Sequence, residues 1–201
     1  MRLRTLIATA MITCLLPLTA WASPGPKEVI QGTVDTVIDI LKARENSDVL
    51  TAENRQAIRK AVEGGFDFPE MAKRSLSKGW RAIGDSQRQA FTVVFRELME
   101  RSYGNRLAGF SGQTVEYGEV KVKNKNRVVE TEIVDAKTRT PVEYSLHETK
   151  DGWRVYNIVI EGVSLVSTYR SSFKRMMKKE GFDGLMKNMS DKLERLKKED
   201  K

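Results

Sequence analysis

The 201-residue chain holds one cysteine, Cys14, and one histidine, His147. No disulfide can close within it, and a Cys/His zinc site needs about four ligands from a set the chain almost lacks. The sequence carries no GxSxG, P-loop, GxGxxG or HExxH pattern, which removes the common hydrolase, nucleotide-binding and zinc-protease signatures. Gly64-Gly65 is too short to cradle phosphates and reads as the end of a helix. His147 alternates with Leu146 on a strand pattern, so it reads as a half-exposed strand residue rather than a catalytic base. The carboxylates Glu130, Glu132, Glu143 and Glu148 also fall on strand patterns. Two of them facing a cleft would support acid/base chemistry; a solvent-facing position is the commoner one. Asn188-Met189-Ser190 matches a glycosylation triplet but lies on a helical pattern.

Only one apolar run stands out, and it lies at the start of the chain. Arg2 and Arg4 precede Leu6-Ile7-Ala8, Met11-Ile12 and Leu15-Leu16-Pro17-Leu18, and Ala20-Trp21-Ala22 follows before Ser23. A basic start, an apolar core and a small-residue cleavage site describe a secretory signal peptide over residues 1–22, cut after Ala22. The run is shorter than the roughly 20 residues that span a bilayer. Thr13 before Cys14, and apolar residues after it, fit a lipoprotein signal poorly. Cleavage discards the cysteine and two arginines, which lowers the net charge of +8 by two. A basic exported protein meets anionic lipid headgroups or acidic proteins more naturally than nucleic acid.

Residues 23–201 read as one α+β domain: helical over 26–108, strands over 113–161, helical again over 164–197. Val29, Val37, Ile40 and Leu41 have helical spacing behind Pro24 and Pro26. Thr51 opens a second helix carrying Ile58 and Val62. Asp67 is a cap and Pro69 a first-turn residue for a third, with Met71, Leu76 and Trp80 on its apolar side. A fourth starts near Asp85, with Phe91, Val94, Phe95, Leu98 and Met99 in a full amphipathic stripe, and reaches about Leu107.

After Gly109 the period changes from 3.6 to 2. Thr114–Val122, Arg127–Asp135, Thr140–Glu148 and Trp153–Ile160 alternate, with turn chemistry at Lys123–Asn126 and Lys150–Gly152. This predicts about four antiparallel strands in two hairpins. Ser164 caps a last helical block, which Gly181 breaks in two. Six of the eight methionines lie in the helices: Met71, Met99, Met176, Met177, Met186 and Met189. Methionine fills irregular volumes, so these residues serve either an ordinary core or a deformable cavity between sheet and helices.

The run Trp153-Arg154-Val155-Tyr156-Asn157-Ile158-Val159-Ile160-Glu161-Gly162-Val163-Ser164, followed by Tyr169-Arg170-Ser171-Ser172-Phe173 and Gly181-Phe182-Asp183-Gly184-Leu185, closely resembles the MlaC, or toluene-tolerance, family. Phe66-Asp67-Phe68 to Trp80, Gln87-Arg88 to Phe95 and Tyr103 fit the same pattern. Asn157 departs from it, since the family usually has Asp there, and so does the spacing of Lys78-Gly79-Trp80.

The resemblance implies an NTF2-like curved antiparallel sheet wrapped by N- and C-terminal helices around an apolar cavity. It implies a periplasmic, non-enzymatic carrier without metal or cofactor that moves a glycerophospholipid between outer and inner membranes. The implied partners are an inner-membrane ABC transporter complex with an MCE-domain subunit and an outer-membrane lipoprotein, with transient membrane contact and a monomeric chain. A binder of hopanoids or other lipids is the close alternative, and a secreted NTF2-like enzyme the distant one. Candidates for acyl-chain contact are Phe66, Phe68, Trp80, Phe95, Leu98, Tyr117, Tyr144, Trp153, Val155, Ile160, Val163, Tyr169 and Phe173. Glu161, Gly162, Val163 and Ser164, between the last strand and the last helix, are expected at the cavity mouth or at a docking edge. Arg170 is expected near a phosphate or in a surface ion pair.

Overall fold

Capping side chains set where the N-terminal helices begin. α1 (Pro26–Lys42) starts with proline in its first turn, where the missing N–H costs nothing. Thr51 opens α2 (Ala52–Gly65), its hydroxyl accepting from Asn54 N while the Asn54 side chain accepts from Thr51 N. Asp67 opens α3 (Phe68–Leu76) by accepting from Glu70 N at 2.9 Å. A 3₁₀ turn over Ser77–Ala82 carries Trp80 out of α3 and leads to α4 (Asp85–Ala108). The computed structural model describes residues 23–44 and 50–199; the expected signal peptide, residues 1–22, lies outside them.

Four strands follow as a meander: β1 (Thr114–Lys123), β2 (Asn126–Val134), β3 (Arg139–Thr149) and β4 (Gly152–Ile160). A two-residue fifth, β5 (Val163–Ser164), extends the antiparallel sheet in the order β1-β2-β3-β4-β5. It exists because Glu161 and Gly162 take φ of 49° and 79° between the paired Ile160 and Val163. Positive φ at both central residues is the hairpin turn whose twist matches the flanking strands.

The sheet's two faces differ as period-2 burial requires. Val129, Thr131, Val142, Leu146 and Val155 are buried on the inner face. On the outer face Lys121 pairs with Glu130, and Arg139 with Glu116 and Glu132. Helix α1 is pinned to β1 by Lys27 Nζ, which donates to the Tyr117 and Gly118 carbonyls, and by the Tyr117 hydroxyl, which donates to Asp35 at 2.6 Å. Gly65 lets α2 approach α1: a Cβ there would stand 2.5 Å from Thr33 Oγ1.

Helix α5 (Leu165–Glu199) is broken at Gly181, whose φ of 68° and ψ of −167° divide it into two arms. Ser164 Oγ caps its start by accepting from Ser167 N and itself donates to Asn157 Oδ1 at 2.9 Å. Asn157 acts there only as an acceptor, also taking Val166 N. A carboxylate at this position would accept the same two bonds.

The main core lies among α3, α4 and α5. Phe91 and Phe95 are fully buried there with Leu98, Tyr169, Phe173, Leu185 and Met189. Their rings meet mostly edge-on, with centroids 5.5 Å apart for Phe91–Phe173 and for Phe95–Tyr169. A smaller cluster of Ile30, Val129, Leu146 and Val155 holds α1 on the sheet. Much of the apolar surface of α1 and α2 belongs to neither cluster.

Candidate functional site

That remaining surface faces a cleft of about 510 Å³ between the α1–α2 pair, the C-terminal half of α4 and the inner face of the sheet. Helix α1 supplies Val34, Val37, Ile38 and Leu41; α2 supplies Ile58 and Val62; α4 supplies Met99, Tyr103 and Leu107. The floor is Val115, Ile133, Thr140, Tyr144, Ile158 and Ile160. Phe66, Phe68, Met71 and Leu165 close the side nearest the main core. The volume falls in the range of sites for small organic ligands, which are typically apolar with a few placed polar groups.

Those polar groups sit in two places. Arg55 and Arg59 on α2 and Glu100, Arg101 and Gly104 on α4 occupy one stretch of the wall. Arg59 grips Glu100 at 2.8 Å, and Arg96 grips Glu63 at 2.8 Å. Arg96 Nε and Glu100 Oε1 face each other at 3.7 Å, too far for a hydrogen bond, and both are buried. Desolvation lifts the Glu100 carboxyl above its ordinary range, against the opposing pull of Arg59 and Arg96. The second polar place is the β2–β3 side, where Asp135 accepts from Gln113 Nε2 and from Ala136 N. There Arg44 ties α1 to the loop before β1 by donating to the Leu41 and Phe110 carbonyls.

Tyrosines report how deeply the floor is buried. Tyr144 shows part of its ring to the cleft, and burial pushes its hydroxyl up to about 12. Tyr117 is raised further by burial and by its bond to Asp35.

Of the residues expected from sequence to touch acyl chains, Phe66, Phe68, Tyr144 and Ile160 line this cleft. Phe95 is in the main core, and Leu98, Tyr169 and Phe173 stand between that core and a second hollow of about 310 Å³ behind α4. Trp80 packs edge-on against Phe91 in the same core. Val155, Tyr117 and Trp153 belong to the smaller cluster under α1, with Arg127 over the Trp153 ring. Val163 is 57% exposed on the β4–β5 turn. Glu161, Gly162, Val163 and Ser164 adjoin the cleft through their neighbours Ile160 and Leu165. Arg170 lies elsewhere, donating to the carbonyl of Arg74 at 3.0 Å.

Sequence reasoning passed over the aliphatic walls of α1 and α2 as candidates. The available signal was their amphipathic stripes, which have more apolar positions than the core absorbs. Met71 and Met99 belong to the main core and also line the cleft; Met189 is buried in that core, and Met176, Met177 and Met186 pack against it.

His147 and the strand carboxylates Glu130, Glu132, Glu143 and Glu148 do not line this cleft. His147 Nε2 is 2.9 Å from Asp67 Oδ2, half-buried against the Tyr156 ring. Glu130, Glu132 and Glu143 are on the outer face. Among the described residues no cluster of three or more His, Cys, Asp or Glu side chains could hold a metal, and no helix is long and apolar enough to cross a membrane.

The fold has solved counterparts. A phospholipid-binding protein from Ralstonia solanacearum, determined in complex with a phospholipid, superposes with a TM-score of 0.81 at 22% identity, over 86% of this chain and 99% of that one. The toluene tolerance protein ttg2D of Pseudomonas putida is 24% identical over 177 residues, 86% of this chain and 82% of the relative. The intermembrane phospholipid transport system binding protein MlaC of Haemophilus influenzae is 22% identical over 193 residues, 92% of this chain and 90% of the relative. The family model described as MlaC protein matches residues 31–191, and the chain belongs to the MlaC family.

Proposed function

We propose that this protein is a periplasmic phospholipid carrier that takes a glycerophospholipid from one membrane of a Gram-negative envelope and delivers it to the other. The observation that carries the reading is the apolar cleft of about 510 Å³, whose wall includes Val37, Ile38, Leu41 and Ile58, aliphatic side chains outside both core clusters. One buried methylene is worth roughly 0.8 kcal/mol, so two acyl chains of about 15 methylenes each represent on the order of 20–25 kcal/mol in water. A lipid crosses an aqueous gap quickly only if something dry surrounds its tails while the headgroup stays wet. A cleft built from aliphatic side chains of α1, α2, α4 and the sheet supplies that environment.

Two further facts support the assignment. A relative named as a phospholipid transport binding protein aligns over nearly the whole chain, and a protein of the same fold has been determined with a phospholipid bound. The N-terminal pattern of residues 1–22 fits export to the periplasm. Carriage of this kind needs no catalytic group. Its direction is set by partners, for which the family suggests an inner-membrane ABC transporter complex with an MCE-domain subunit and an outer-membrane lipoprotein. The maintenance of outer-membrane lipid asymmetry, and with it solvent tolerance, would follow.

Native mass spectrometry of protein purified from a Gram-negative host tests the proposal. The expected spectrum shows the chain with one phospholipid mass added, confirmed by lipid extraction. Protein that carries no lipid, and acquires none from vesicles, would overturn it.

A further inference from the structure

Positive charge is spread unevenly along the chain. Residues 68–82, which form α3 and the 3₁₀ turn, hold Lys73, Arg74, Lys78 and Arg81 against Glu70. Residues 165–180, the first arm of α5, hold Arg170, Lys174, Arg175, Lys178 and Lys179 against Glu180. Nine cations against two carboxylates put +7 on these two segments. The whole chain carries +8, two of it from Arg2 and Arg4, so the remainder of residues 23–201 sums to −1.

The fold lays the two segments side by side. Arg170 Nε donates to the Arg74 carbonyl at 3.0 Å, which ties the start of α5 to the end of α3. Two turns further on, Met177 Cε stands 3.2 Å from where a Cβ on Gly79 would be, so the same flank of α5 continues past the 3₁₀ turn. Arg170, Lys174 and Lys178 recur every four residues beside that flank, and all three are exposed, as are Lys78, Arg81 and Arg175. Lys73 and Arg74 are engaged by Glu70, Arg74 also lies over the Tyr156 ring, and Lys179 pairs with Glu180. Among the described residues, Lys78, Arg81, Lys174, Arg175 and Lys178 have no carboxylate partner.

The composition of this face says which occupant it suits. Among the described residues, the large hydrophobic side chains that stand exposed are Val93, Val122, Ile133 and Val163, all outside both segments. A protein–protein interface draws its strength from apolar, aromatic and Arg anchors buried at its centre, and is depleted in lysine. An anionic lipid surface needs only cations gathered on one side, and each charge near it tightens binding about fivefold. We propose that the exposed face of α3, the 3₁₀ turn and the first arm of α5 is a docking surface for bilayers with anionic headgroups. It goes beyond the carrier reading, since it concerns where the protein meets a bilayer and not what the cleft holds.

Cosedimentation of residues 23–201 with vesicles of phosphatidylcholine, alone or mixed with phosphatidylglycerol, tests this. At about 50 mM salt the protein should bind the phosphatidylglycerol vesicles about tenfold or more tightly than the neutral ones, and about 300 mM salt should release it. The K78Q/K174Q/R175Q/K178Q protein should bind about thirtyfold or more weakly, which corresponds to two of the four charges touching at once. A K123Q/K125Q/K137Q/K150Q protein loses the same charge from the exposed ends of the hairpins and should stay within about threefold of wild type. Both variants should retain as much lipid as wild type, so a failed docking surface leaves the carrier reading standing. If the first variant does not fold, K78Q/K174Q and R175Q/K178Q carry the comparison at about fivefold each. Equal binding to neutral vesicles, no binding to anionic ones, or equal weakening in the hairpin variant overturns the surface. Protein that ignores the vesicles but binds immobilised polyglutamate through the same four side chains assigns the face to an acidic polypeptide instead.

Discussion

Asp67 divides its two carboxylate oxygens between two elements: Oδ1 caps α3 through Glu70 N, and Oδ2 meets His147 Nε2 of β3 at 2.9 Å. One side chain thus fixes both the start of the helix and its distance from the sheet. Phe66 and Phe68, which flank it, reach the cleft from this anchored segment.

Removing the anchor should cost stability in proportion to what each partner supplies. The Asp67→Ala protein loses a helix cap and an interelement bond, about 2 kcal/mol together. His147→Ala loses the bond alone, about 1 kcal/mol, and should retain lipid as the wild type does. Urea unfolding and lipid extraction check both. Loss of lipid retention in a folded His147→Ala protein would contradict the view that this histidine only positions structure.

Core and cleft should separate under mutation. Phe95→Ala opens a cavity among Phe91, Tyr169 and Phe173 and should cost about 3–5 kcal/mol, while the remaining folded protein still binds lipid. Val37→Glu puts a carboxylate on the half-buried cleft wall, where it is hydrated in the free protein. It should cost about 1 kcal/mol or less in stability and reduce lipid retention by about tenfold, because a bound lipid would desolvate it. The two effects are read from unfolding curves and from lipid per protein.

Gly181 holds α5 bent at a φ of 68°, a conformation that side chains with a Cβ resist. Open space surrounds the position, so Gly181→Ala should cost only the backbone strain, about 1–3 kcal/mol, with α5 still folded back over α4. A neutral or stabilising result would show that the bend is not maintained in solution.

The buried Tyr144 hydroxyl gives the protein an alkaline liability. A phenol in the unfolded chain loses its proton near pH 10, whereas in the folded protein it keeps it to about 12. Between those values unfolding releases a proton, so rising pH favours the unfolded chain. Wild-type stability should therefore fall from about pH 10 to about pH 12, and the Tyr144→Phe protein should fall by about one proton's worth of slope less. Equal slopes in the two proteins would contradict the burial of this group.

Helix starts and hairpins were legible in the sequence because their causes are local. Asp67, Thr51 and Ser164 act on amides within three residues, and Gly181 breaks α5 through its own φ. The two-residue β5 was not legible, since it depends on positive φ at Glu161, which a side chain seldom adopts.

The cleft was only partly legible. Hydrophobicity says that a residue leaves water, and not whether it meets protein or ligand. The largest rings, Phe91, Phe95 and Phe173, went to the core, where they bury most area among themselves. The cleft wall fell to mid-sized aliphatics such as Val37, Ile58 and Val62, whose periodicity is that of any amphipathic helix. The Arg59–Glu100 pair in the cleft wall depends on α2 meeting α4 across a long separation in sequence, which no local pattern encodes.

The most direct measurement loads the protein with a phospholipid bearing a photoreactive group near the end of one acyl chain and maps the crosslinked peptides. The cleft account predicts crosslinks in residues 34–41 of α1, 58–62 of α2 and 158–160 of β4. Crosslinks confined to the outer face of the sheet or to the exposed side of α5 would contradict it.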